Sequence, residues 1–150
     1  MFKFLISSLL FLLFSSTLFA LDLSGTYIGL YDTNKKLITG ESASRLNDII
    51  EFVKIDKRVL INVEHNQEDN TVTVYIPTEK AVFPDMPLDG DEFKGKDNKS
   101  GTHILEGNFL DNEIIAIFKK YADSDNERIR YFKAQLSPTD VLLREKLDEL

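Results

Sequence analysis

The chain offers little for chemistry: two histidines, His65 and His103, and no cysteine. A structural zinc site takes four nitrogen or sulfur ligands, and this set does not supply them. His65 opens the polar stretch His65-Asn66-Gln67-Glu68-Asp69-Asn70, which reads as a hairpin loop, and His103 stands near the start of a strand. Both are expected to be ordinary surface residues. Two acidic runs invite a test for calcium. Starting an EF-type loop at Asp85 places Pro87 and Lys96 where oxygen donors are required, and starting at Asp123 places Arg128 where the loop needs glycine. Neither run qualifies.

Nucleophilic catalysis finds no support, since there is no Gly-x-Ser-x-Gly elbow. No glycine-rich loop precedes a helix to cradle a phosphate. Carboxylates are plentiful, but spread along an acidic chain they do not single out the close pair that glycoside hydrolysis requires. The chain reads as a non-enzyme without a cofactor. What remains is a set of aromatic and apolar residues that could line a cavity: Tyr27, Tyr31, Phe83, Met86 and Phe132, with Arg130 in the last predicted strand. The competing use of the same residues is to fill a core.

The elements that must position them are mostly strands. Val59, Ile61 and Val63 alternate with polar residues, as do Val72, Val74 and Ile76, the period of a strand with one buried face. Thr102 to Leu110, Glu113 to Tyr121 and Glu127 to Leu136 predict three longer strands joined by short polar turns, which connect antiparallel neighbours. Residues 77–101 carry three of the four prolines and read as irregular, with Val82–Leu88 as a loop. Ser44–Ile55 is ambiguous. Leu46, Ile49, Ile50 and Val53 share a helix face, whereas the β-branched and aromatic content favours a strand. The strand is preferred, and a helix near 44–54 would make the fold α+β instead.

Ser137-Pro138-Thr139-Asp140 is a helix start: cap, proline at the first position, carboxylate three residues on. The helix 138–150 is expected to lay Leu143, Leu147 and Leu150 against the outside of the sheet, with Arg144 and Asp148 paired on the wet side. Ile114 to Phe118, apolar on both faces, would be the strand it covers.

At the other end, Met1-Phe2-Lys3, the apolar run Phe4–Phe14 and the small residue Ala20 follow the order of a secretory signal. Residues 1–20 are therefore expected to be a cleavable signal peptide, leaving 21–150 as a single β-rich domain in a periplasmic or secreted location. The run is shorter than the ~18–20 residues that span a bilayer, so no stable membrane insertion is expected after cleavage. Disulfides are excluded, but roughly 130 residues can build one core without them. Loss of Lys3 leaves the remainder one unit more acidic than the −7 of the whole chain. With no clustered basic residues, nucleic acid and anionic lipid are both poor partners.

Leu23-Ser24-Gly25-Thr26-Tyr27 resembles the opening Gly-x-Trp of lipocalins and related calycin barrels, with Tyr27 in the place of the tryptophan. Arg130 in the last strand and the helix after it are similar to that family, in which a late arginine packs over the aromatic and a helix lies outside. The resemblance implies a mainly β fold, a small antiparallel up-and-down barrel with a C-terminal helix. It also implies non-catalytic binding of an apolar molecule inside, with Val82–Leu88 as a lid. The alternative is a periplasmic module that binds an envelope protein through that loop or through an exposed strand edge.

Overall fold

The computed structural model describes residues 21–39 and 58–149. The expected signal over 1–20, the Ser44–Ile55 segment and Leu150 lie outside the described residues. The strands are β1 (Gly25–Asp32), β2 (Arg58–Asn66), β3 (Thr71–Ile76), β4 (Ala81–Asp89), β5 (Glu92–Lys96), β6 (Ile104–Leu110), β7 (Glu113–Lys120) and β8 (Arg128–Leu136). A short helix α1 (Lys36–Thr39) follows β1, a 3-10 turn (Pro77–Glu79) precedes β4, and helix α2 (Pro138–Asp148) ends the chain. Each strand pairs antiparallel with the next and β8 returns to β1, closing the barrel in sequence order.

Closure follows from the alternation. Every strand turns one apolar row inward, and a ring leaves none of the eight with an unpaired edge. Tyr27 stands opposite Ile61 of β2 and Leu136 of β8, and Tyr31 opposite Phe132. Where the wall bends closest, the inward position carries no side chain. A Cβ on Gly29 would meet the Lys133 carbonyl and Ala134, and one on Gly107 would meet the Ile115 carbonyl and Ala116.

The stretch 77–101 is ordered strand for most of its length, not irregular, and Val82–Leu88 belongs to β4 rather than to a lid. Pro77 opens the 3-10 turn, Pro87 stands in register opposite Thr71, and Pro84 is absorbed by a bulge. The β3–β4 register shifts between Val72 and Val74, Asp85 takes a left-handed φ of 46°, and its N–H donates to Thr73 Oγ1 at 3.0 Å. A residue lacking an N–H is tolerated at such a break in the ladder. Phe83 and Met86 consequently point inward and are buried.

The interior is filled by side chains of the wall. Tyr27 meets Phe109 at 6.0 Å and Phe109 meets Phe93 at 5.2 Å in the half nearer α2. In the other half Phe118 stacks on Phe132 at 6.1 Å, with Phe83 edge-on to Phe118 and Tyr31 edge-on to Phe132. Each fully buried ring stabilises by about 1.5–3 kcal/mol. Outside, α1 packs against β8 with Leu37 buried, and Ile38 shares an outer groove with Ile115 and Ile117. The doubly apolar strand β7 is thus flanked by α1, not by the C-terminal helix.

Helix α2 sits at the end of the barrel where β1 begins and β8 finishes, and it sits the other way round from expectation. Val141 packs on the core, but Leu142, Leu143 and Leu147 are 58%, 55% and 67% exposed. Polar groups hold the helix instead. Ser137 N–H donates to the Thr26 carbonyl at 2.8 Å, Thr26 N–H donates to Asp140 Oδ2 at 2.9 Å, and Ser137 Oγ donates to the same oxygen at 2.8 Å.

Candidate functional site

The six residues expected to form a ligand site divide between the two ends of the barrel. Tyr31, Phe83, Phe132 and Arg130 gather at the end remote from α2. There the Arg130 guanidinium lies 5.4 Å over the Tyr31 ring and forms an ion pair with Glu79. Lys120 Nζ approaches the other Glu79 oxygen at 4.0 Å, and the Glu79 side chain is only 7% exposed. An enclosed carboxylate needs such partners to remain charged. Chemically this mouth offers an aromatic floor and a cationic rim whose charge is already balanced by Glu79. The 3-10 turn Pro77–Glu79 sets that acid in place, with Lys80 in a left-handed conformation closing it.

Tyr27 and Met86 are not part of this group. Met86 packs over Gly95, where a Cβ would collide with its side chain, and Val72 is its strand partner. Tyr27 lies at the α2 end, and Arg130 does not pack over it. The arginine that reaches Tyr27 is Arg144 of α2, whose Nη2 donates to the phenolic oxygen at 3.3 Å and to the Ser24 carbonyl at 3.1 Å. Its Nη1 donates to Asn112 Oδ1 at 3.2 Å. Arg144 therefore faces the barrel rather than pairing with Asp148 on the wet side. Burial pushes the Tyr27 phenol above its ordinary pKa, against the opposing pull of Arg144. Its hydroxyl donates to the Leu23 carbonyl at 2.9 Å.

His65 is buried, not a surface hairpin residue, because β2 continues through Asn66 and carries it inward. Its Nδ1 accepts from Leu23 N–H at 3.1 Å and its backbone N–H donates to Ser24 Oγ at 2.8 Å. Residues 21–24 are strapped across the α2 end by this histidine, by Tyr27 and by Arg144. Leu21, Asp22 and Ser24 of the strap line a groove with Leu143, Leu147, Asp148 and Gln67.

A second constellation brings together Asp97, Ser100 and His103, the residue types of a hydrolytic triad. Their connections are those of a loop brace. Ser100 Oγ donates to the Asp97 carboxylate at 3.0 Å, Asp97 Oδ1 accepts from the His103 backbone N–H at 3.0 Å, and His103 Nδ1 accepts from Tyr121 N–H at 3.1 Å. Burial alone would raise the Asp97 pKa, but donors from Ser100 and His103 outweigh it and hold the carboxyl below the ordinary value. A triad needs the serine hydroxyl on the histidine, and here it is committed to the acid. Among the described residues no group of three or more His, Asp or Glu side chains is placed to hold a metal ion.

The strap and the outward leucines escaped sequence reasoning. The leucine spacing was visible, but which side of the helix meets the barrel is set by contacts with Thr26, Tyr27 and Asn112. In comparisons with known proteins, the chain matches no family model and no curated protein.

Proposed function

We propose that this chain is an exported, non-catalytic binding protein of the cell envelope, in which a packed barrel serves as a rigid mount for a protein-binding surface at its α2 end. One observation carries this reading: α2 is fastened by Asp140 and Arg144 while Leu142, Leu143 and Leu147 face solvent. Leu143 and Leu147 stand one turn apart and share a groove with Leu21, and a contiguous exposed apolar patch marks an interaction site. Export rests on the signal-like order of residues 1–20. The non-catalytic reading is supported by the brace-like wiring of Asp97, Ser100 and His103. The test is site-specific photo-crosslinking from position 143 in intact cells. A discrete adduct that disappears on Leu147→Ser supports the reading, and a surface that never crosslinks counts against it.

A second reading, a small apolar molecule held at the opposite mouth as the lipocalin-like resemblance implies, is favoured by the Arg130–Tyr31 stack. An acidic head group would then compete with Glu79 for Arg130. Native mass spectrometry of the purified protein decides it: a bound small molecule lost on Arg130→Leu supports this alternative, and a bare mass argues against it.

A further inference from the structure

The groove at the α2 end has a chemistry that narrows its occupant. Its apolar part is Leu21, Leu143 and Leu147. Around them stand Asp22 and Asp148, with Asp140 at the base of the groove held by Thr26 and Ser137. The basic residue within the groove, Arg144, is turned inward and spent on Tyr27, Ser24 and Asn112. Lys146 is the sole basic residue on the outer face of α2. An apolar ridge inside an acidic rim selects against three occupants. A second copy would set acid against acid. An anionic membrane would repel the rim. An acidic partner would do the same.

We propose that this surface docks a cationic amphipathic helix of a partner protein, with apolar residues at three- and four-residue spacing and Lys or Arg on both flanks. The inference rests on the protein-binding reading above and adds the chemistry of the partner. Helix α2 is 11 residues long, about 16 Å, so it matches about three turns of such a partner. The apolar side chains exclude water while the flanking cations meet Asp22 and Asp148. Charges at a rim of this kind chiefly set selectivity and the rate of encounter.

The test uses the purified protein and two synthetic helical peptides of roughly 18 residues, sharing one leucine face, one flanked by lysine and the other by glutamate. The lysine peptide is expected to bind at least about tenfold more tightly than the glutamate peptide. Its binding should weaken as salt rises and should be lost in the Leu143→Ser/Leu147→Ser double variant. Asp22→Asn with Asp148→Asn should erase most of the preference while leaving the fold intact by circular dichroism. Equal binding of both peptides, abolished by the leucine changes, overturns the cationic partner but leaves the docking surface standing. Self-association by sedimentation, or flotation with phosphatidylglycerol vesicles, that vanishes in the leucine variant overturns the proposal in favour of a second copy or of lipid. Failure of both peptides to bind overturns both readings.

Discussion

The guanidinium of Arg144 donates to the phenolic oxygen of Tyr27 across 3.3 Å of space and 117 residues of sequence. That contact reverses the usual logic of a surface helix. The polar side of α2 is turned to the barrel, where partly buried hydrogen-bonding groups meet it: the Ser24 carbonyl, the Tyr27 hydroxyl and the Thr26 N–H.

Arg144→Met should destabilise the fold by about 1–3 kcal/mol, since it strips donors from Ser24, Tyr27 and Asn112 together. Tyr27→Phe alone should cost less. A double-mutant cycle by urea denaturation should return a coupling of about 0.5 kcal/mol or more. A coupling of zero would mean that the contact contributes nothing.

The leucines should behave in the opposite way. Leu143→Ser and Leu147→Ser are expected to change stability by no more than about 0.5 kcal/mol, because both side chains are more than half exposed. A loss of several kcal/mol in the same denaturation experiment would show that the ridge is buried in solution.

Asp140 gives a pH signature. The Thr26 N–H, then the Ser137 hydroxyl, hold its carboxyl below the ordinary aspartate pKa. A depressed acid contributes stability that is fully present above the unfolded-state pKa and is lost as pH falls through the folded one. Asp140→Asn should therefore be less stable than the parent at pH 7, and the gap should close below about pH 4. Thermal melts of the two proteins between pH 7 and pH 2 check this, and a gap that widens on acidification would contradict it.

The wall should be intolerant at two kinds of position. Phe118→Ala removes the ring shared by Phe83, Phe132 and His103 and should cost about 3–5 kcal/mol. Gly29→Ala places a methyl against the Lys133 carbonyl and should cost about 1–3 kcal/mol. Equilibrium unfolding measures both.

His65→Leu should free the strap without opening the barrel. Amide exchange at Leu23 is expected to quicken strongly, because its acceptor is the imidazole Nδ1, while β6 to β8 keep their protection. Unchanged exchange at Leu23 would assign the strap to Tyr27 and Arg144 instead.

Much of this architecture is legible in the chain itself. Period-two alternation marks β2, β3, β6, β7 and β8 within a residue or two, and Ser137-Pro138-Thr139-Asp140 marks the start of α2, because both signals are local: pleat geometry and an unsatisfied helix terminus. The aromatic grouping was legible in part. Tyr31, Phe83, Phe132 and Arg130 do meet, whereas Tyr27 and Met86 belong elsewhere, since strand direction and register place them nearer the other end. Three things needed the tertiary structure. Pro84 is harmless within β4 because β3 supplies Thr73 to satisfy its bulge. His65 is buried because β2 runs on through Asn66 and the strap arrives to use its Nδ1. The leucines of α2 face outward only because polar groups far away in sequence claim the other side of the helix. Periodicity declares that an element has two faces. Which face turns inward is decided by the partner it meets, and hydrogen bonds spanning more than a hundred residues leave no local trace.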